Sequence, residues 1–303
     1  MEMALTLALN GFFVHMIDLE GSGYSAGNRI NNLSIEKFHH QVATILLQVS
    51  PDLPCFLLGH SMGGLTVNTF LGLNPQIADK LAGVIFSAPF FGISTKKINP
   101  VEKLVISGIA KVMDEMVMIS SLPIHKICRN KQYMRQVIQS RKANPFMTAG
   151  LMDSWIKNHD RVATFANKVN YPYLILLGEK DVIVDNSASR AWHAKTSSTI
   201  KELKLMAGAF HELSKEPNNG VMFESVLKFM AKRVTDGAKA FGQFDPKTGV
   251  RFAKQVAAWK KKKFWVIISV LYLFIGLLIA IIRRQKNLFL SWPALLVIAK
   301  RLK

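Results

Sequence analysis

The sequence predicts an α/β domain, a mostly parallel sheet with helices on both faces, that carries a helical cap insertion and is followed by a C-terminal transmembrane helix. Three observations predict it. Short apolar runs alternate with helix-like patterns on either side of a long interruption, the rhythm of a parallel sheet with crossover helices. One run leads into G-H-S-M-G-G at residues 59–64, directly before a helical pattern. Towards the C-terminus, residues 264–282 are 19 consecutive residues without a charge, enough to cross a bilayer core of about 30 Å as a helix.

The elements follow in order. Residues 3–9 (M-A-L-T-L-A-L) resemble a signal-peptide core only briefly: no basic stretch precedes them, and Glu2 stands where a positive charge is needed. They run directly into residues 12–18 (F-F-V-H-M-I-D), which read as a buried strand ending in an acid. Gly21-Ser22-Gly23 is too short to cradle a phosphate and reads as a tight turn. A helical pattern covers 35–48, Pro51 and Pro54 introduce a strand over 54–58, a helix follows over 65–71, and 81–89 is another buried strand. Residues 91–170 then break the rhythm with amphipathic helical patterns and no strong strand. The clearest is 101–118, where Leu104, Val105, Ile109, Val112, Met113 and Met116 recur at helical spacing. The sheet resumes with strands over 173–178 and 201–206. Residues 1–90 and 171–233 are thus expected to form the core, 91–170 the cap, 234–263 a basic linker, 264–282 the span and 283–303 a basic interfacial tail.

A chain of 303 residues, 50% of them hydrophobic, can bury one large core and carry an appendage. Its net charge of +19 is uneven. Residues 234–303 hold 14 basic and 2 acidic residues (+12), residues 91–170 hold 13 and 5 (+8), and residues 1–90 hold 3 and 6 (−3). Such a balance could suit nucleic acid. The densest clusters, Lys260 to Lys263 and then Arg283, Arg284 and Lys286, instead fence the apolar run, which points to a lipid surface as partner and not to nucleic acid. Trp265 and Trp292 suit the interface, and the run 288–299, interrupted by Pro293, reads as interfacial. Cys55 and Cys128 give no disulfide framework. A reducing compartment is therefore the default, and the folded domain is expected to face the cytosol, although basic residues on both sides of the span leave the positive-inside rule without a preference.

The pattern G-x-S-x-G describes a serine on a sharp strand-to-helix turn. The pattern alone recurs by chance; here an apolar run precedes it and a helical pattern follows. The turn lifts Ser61 Oγ clear of the sheet and aims the next backbone N–H, that of Met62, at a reacting carbonyl oxygen. Gly59 and Gly63 are expected to leave the room that a Cβ would fill. A serine hydroxyl needs a base to take its proton and a carboxylate to orient that base. On a parallel sheet such partners belong in loops after strand ends. Asp181 lies just after the strand over 173–178 and His211 just after that over 201–206, giving the order Ser61, Asp181, His211. Glu179 and Asp185 flank Asp181, but Asp181 fits the first turn beyond the strand best. His60 adjoins the nucleophile, yet the elbow turns its side chain away. His15, His39, His40, His125, His159 and His193 stand in no motif. No metal-ligand spacing or dinucleotide-binding glycine pattern occurs, so neither metal nor cofactor is expected.

With these residues assembled, the chain resembles the α/β-hydrolase superfamily, and within it the monoacylglycerol lipase-like serine hydrolases of the serine aminopeptidase S33 type. The resemblance covers about residues 1–233. It rests on D-L-E-G-S-G-Y-S (18–25), G-H-S-M-G-G (59–64), S-A-P-F (87–90), N-P-F (144–146), G-E-K-D (178–181) and G-A-F-H (208–211). It implies an α/β-hydrolase fold with Ser61 as nucleophile, His211 as base and then acid, Asp181 as orienting acid and Met62 N–H as an oxyanion donor. It also implies a cap that docks on membranes, with monoacylglycerol or lysophospholipid as substrate. The family carries further strands before the segment that opens this sequence, ending in an H-G loop that supplies a second oxyanion donor. The fold is therefore expected to be N-terminally truncated, lacking a strand between 12–18 and the elbow strand. Two other readings fit the same residues. One is a weak or inactive hydrolase fold serving as a structural subunit among membrane-complex partners; the other is hydrolysis of small esters or peptides by the same triad.

Overall fold

Parallel pairing of four strands, three of them apolar, brings their C-terminal ends to one edge of a sheet. The computed structural model describes residues 2–27, 34–92, 99–119, 123–139 and 146–242. Along the chain come α1 (Glu2–Leu9), α2 (Ile35–Leu46), β1 (Phe56–His60), α3 (Met62–Leu73), α4 (Pro75–Ala78), β2 (Gly83–Ser87), α5 (Pro100–Val112) and β3 (Val117–Ile119). They are followed by α6 (Lys131–Gln139), β4 (Phe146–Thr148), α7 (Ala149–Phe165), β5 (Tyr173–Gly178), α8 (Asn186–Lys195), β6 (Lys201–Met206) and α9 (Gly220–Thr235). The sheet order is β1-β2-β5-β6, and each neighbouring pair is parallel. All residues of β2 and β5 are buried, which is why these strands read as continuous apolar runs without alternation. The register sets Gly59 beside Phe86 and Phe86 beside Ile175. The loops after β1, β5 and β6 therefore leave the sheet on the same side.

Local chemistry sets where the helices begin. Ser34 caps α2 by accepting the Lys37 N–H, and Thr148 caps α7 by accepting that of Leu151. α5 opens with a complete capping box: Asn99 and Glu102 each accept the other's backbone N–H, and Pro100 stands at the first turn, where its missing N–H costs nothing. Behind the sheet, Trp192 of α8 packs on Phe86 of β2 and Tyr173 of β5, with ring centroids 5.5 and 5.1 Å away. Burying such large rings supplies much of the driving force for closing the α/β layers.

Four expectations are corrected. Residues 12–18 form no strand: Phe13 and Met16 are 84% and 63% exposed. A strand needs a neighbour's N–H and C=O groups, and among the described residues β1 pairs only with β2. The segment's anchor is Phe12, edge-on to Phe56 at 6.3 Å. Second, the helix expected over 101–118 stops at Val112. Third, the segment between β2 and β5 does contain strands, because residues 117–119 pair antiparallel with β4, Met118 opposite Met147. Fourth, residues 236–242, expected to begin a linker, fold back on the core: Phe241 is 1% exposed and its N–H donates to Leu53 O at 3.0 Å. The linker beyond residue 242, the span 264–282 and the tail 283–303 lie outside the described residues. Among the described residues no helix is long and apolar enough to cross a membrane.

Candidate active site

Ser61 stands between the last residue of β1 and the first of α3 with φ 51° and ψ −118°, a conformation costly for any residue with a Cβ. Its surroundings enforce it. Ser61 N–H donates to Ser87 O at 3.0 Å, and Ser61 O accepts the N–H groups of Gly64 at 2.9 Å and Phe90 at 3.0 Å. A Cβ on Gly59 would lie 2.6 Å from Gly63 O, so the turn closes only with glycine there. Gly63 does not have the expected role: a Cβ on it would meet nothing within 4 Å. The second crowded position is Gly64, whose Cβ would fall 2.7 Å from Pro89 Cβ. Pro89 reaches it through the neighbouring turn, where Ala88 also has positive φ, 41°.

Asp181 and His211 come from two loops that are laced together. Glu179 N–H donates to Met206 O, Lys180 N–H to Ala209 O, and Gly208 N–H to the Glu179 carboxylate at 2.7 Å. Gly178, ending β5, lets the backbones close, since a Cβ there would lie 2.1 Å from Phe210 O. Asp181 Oδ1 accepts the N–H groups of Ile183 and Val184 at 2.8 and 3.2 Å, which aims Oδ2 at His211 Nδ1, 2.8 Å away. His211 Nε2 lies 2.9 Å from Ser61 Oγ. The Asp181 side chain is fully buried and His211 nearly so. A carboxylate only accepts, so the ring proton sits on Nδ1 and the Nε2 lone pair faces the serine hydroxyl. Met62 opens α3, and a first-turn N–H has no acceptor within its helix, so the positive end of the helix is presented beside Ser61.

The competing carboxylates have other work. Asp185 caps α8 through the Ser187 N–H, and Glu179 holds Gly208. His60 turns from Ser61, as expected of the elbow, with Nδ1 3.1 Å from Ser87 O and Nε2 3.3 Å from Glu212 Oε2. Burial opposes charge on this ring, but the Glu212 carboxylate, the Ser87 carbonyl and Asp181 together outweigh it and raise the His60 pKa. Burial likewise opposes charge on Glu212, yet His60 and the Ser214 hydroxyl bring its pKa down to about 2. The His60 ring centroid is 4.9 Å from that of His211. Sequence reasoning missed Glu212; its position directly after His211 was the available signal. Burial pushes the thiols up to about 12 at Cys55 and about 11 at Cys128, so neither rivals Ser61 at neutral pH. Beside the elbow turn, the Phe90 ring lies 5.2 Å from that of Trp155 on α7. Among the described residues no group of three His, Cys, Asp or Glu side chains could hold a metal ion.

A serine on a strained elbow, a histidine and a buried aspartate at the ends of parallel strands form the constellation of an α/β hydrolase. The model of the family described as serine aminopeptidase, S33, matches residues 1–218, and the chain belongs to this family. Curated relatives include the phospholipase YtpA of Bacillus subtilis, 26% identical over 73% of this chain and 85% of the relative. The human monoglyceride lipase is 28% identical over 71% of each chain. Among solved structures, the monoacylglycerol lipase of Paleococcus ferrophilus superposes with a TM-score of 0.70 at 24% identity, covering 77% of this chain and 88% of its own. The monoglyceride lipase of Saccharomyces cerevisiae, solved with a substrate analog, gives 0.66 at 20% identity over 77% and 82%. The fold is that of the α/β hydrolases, and the resemblance to monoacylglycerol lipase-like proteins read from the motifs holds.

Proposed function

We propose that the protein is a serine hydrolase that cleaves lipid monoesters, of monoacylglycerol or lysophospholipid type, through an acyl-enzyme. The observation that carries this reading is the continuous relay Ser61 Oγ, His211 Nε2, His211 Nδ1, Asp181 Oδ2, with steps of 2.9 and 2.8 Å. Ser61 Oγ attacks the ester carbonyl while its proton passes to His211 Nε2, and Asp181 stabilises the imidazolium. The oxyanion that forms takes the Met62 N–H. Collapse breaks the bond to the alcohol, which leaves with the proton held by His211. Water then attacks the acyl-Ser61 ester, with His211 as base again, and fatty acid departs.

Lipid as substrate class is supported by the relatives, a phospholipase and a monoglyceride lipase among them, and by the segment between β2 and β5, which we read as a cap. Its helix α5 buries Ile106 and Ala110 and leaves Val101, Leu104 and Val105 69%, 74% and 54% exposed. A helix that turns such a stripe outward in a basic segment suits a lipid surface. The uncharged run 264–282, fenced by basic residues, would anchor the domain there and keep the cap at high local concentration of substrate. The test is fatty-acid release from vesicles containing monooleoylglycerol or lysophosphatidylcholine, measured beside cleavage of a peptide amide. Release from either lipid, absent in Ser61→Ala, is the expected result; cleavage of the peptide alone would overturn the reading.

A further inference from the structure

A strip of the cap is bonded to the loop that carries His211. Ile127 O accepts the N–H of Glu212, the residue after His211, at 2.8 Å. Two residues on, Arg129 gives its backbone N–H to Glu216 Oε1 at 2.8 Å and its Nε–H to Glu216 Oε2, while Nη2 donates to Asn218 Oδ1 at 3.0 Å. The Glu216 side chain is 0% exposed. A carboxylate taken wholly out of water is tolerated only when paired and hydrogen-bonded, and Arg129 supplies both the charge and the bonds. From Glu216 back to His211 the chain is a run of tight turns: Leu213–Lys215 is a 3-10 turn, and Glu216 N–H returns to Leu213 O. A second cap element touches the same loop, with Lys215 Nζ 5.6 Å from the centre of the Tyr133 ring on α6.

His211 is thus held from two sides. Upstream, residues 206–209 are laced to the Asp181 loop; downstream, besides the Glu212 contact to His60 and that of Lys215 to Glu2, the backbone and the buried carboxylate are gripped by the cap. We propose that Arg129 is a positioning residue for His211: through Glu216 and Asn218 it ties the cap to the histidine loop, so that the placement of the cap sets the Ser61–His211 geometry. The proposal rests on the hydrolase reading of the site. Its consequence is that Arg129 governs turnover even of an ester too small to touch the cap.

The test compares full-chain wild type, Arg129→Ala and Arg129→Lys on p-nitrophenyl acetate, with Tm recorded for each and the low-field proton resonance of His211 Nδ1–H followed by NMR. In folded Arg129→Ala, kcat is expected to fall roughly 10- to 100-fold, the range for a small misplacement of a reacting group, with KM little changed and the proton resonance shifted or broadened. Arg129→Lys should recover part of kcat, since an ammonium pairs with Glu216 but lacks the fork that also reaches Asn218. A folded Arg129→Ala with wild-type kcat and an unmoved resonance would overturn the proposal. Should Arg129→Ala not fold, Asn218→Ala, which strands no buried charge, must lower kcat for the proposal to stand. Should wild type hydrolyse no ester, the hydrolase reading fails and the resonance alone decides the clamp: unmoved in folded Arg129→Ala, or in Asn218→Ala if that variant replaces it, it overturns the proposal.

Discussion

Glu212 Oε2 lies 3.3 Å from His60 Nε2, and the two side chains form a partly covered ion pair on the flank of His211. Glu212 has its pKa lowered from 4.5 to about 2, a contribution present above pH 4.5 and lost as pH falls towards 2. His60 has its pKa raised above 6.5, a contribution present below pH 6.5 and lost as pH rises through the raised value. The pair therefore stabilises the fold most between pH 4.5 and 6.5. Glu212→Gln is expected to lower Tm most in that window, with the gap to wild type narrowing at higher pH. Thermal melts of both proteins across the pH range measure it.

Asp181→Asn tests the relay without emptying the site. The amide oxygen can still accept from Ile183 and Val184, which leaves an NH2 facing His211 Nδ1. The ring proton is then driven to Nε2, which can no longer take the proton of Ser61. A fall in kcat on the order of 10⁴ is expected, against a modest change in Tm; steady-state kinetics on a soluble ester reads it.

The elbow makes opposite predictions for two neighbouring glycines. Gly59→Ala would force a Cβ to 2.6 Å from Gly63 O, and overpacking of this kind costs about 1–3 kcal/mol. Gly63→Ala meets open space in the first turn of α3. It should be neutral or stabilising by up to about 1 kcal/mol through helix propensity. Denaturant unfolding of both variants gives the comparison.

The outward stripe of α5 predicts surface binding. Leu104 is 74% exposed, so Leu104→Glu should scarcely alter stability. Removing an apolar side chain of this size from a lipid contact forfeits about 1.5–3 kcal/mol, and vesicle partitioning should fall roughly tenfold or more. Sedimentation with vesicles measures the change.

The site residues were legible because each lies within a few positions of a strand's end, where sequence pattern is strongest. Ser61 follows β1 directly, Asp181 lies in the first turn after β5, and His211 lies in the loop after β6. What pairing decides was not legible. Residues 12–18 have the apolar density of a strand, but pattern carries no information about whether a neighbour lies beside them. Residues 117 and 118 read as the continuation of α5 because their partners in β4 are distant along the chain. The same limit explains the glycines. Sequence places Gly59, Gly63 and Gly64 together, yet only the approach of Pro89 from the turn after β2 makes Gly64, and not Gly63, the second crowded position. Glu212 went unnoticed because His60, its partner in space, is distant along the chain.

The proposed hydrolase stands or falls on Ser61 acting as a nucleophile activated by His211. Incubation of the full chain with a fluorophosphonate, followed by peptide mapping, tests it most directly. A stoichiometric adduct on Ser61 is expected, absent in Ser61→Ala and formed far more slowly in His211→Ala. A folded wild-type protein that takes up no probe at Ser61 would contradict it.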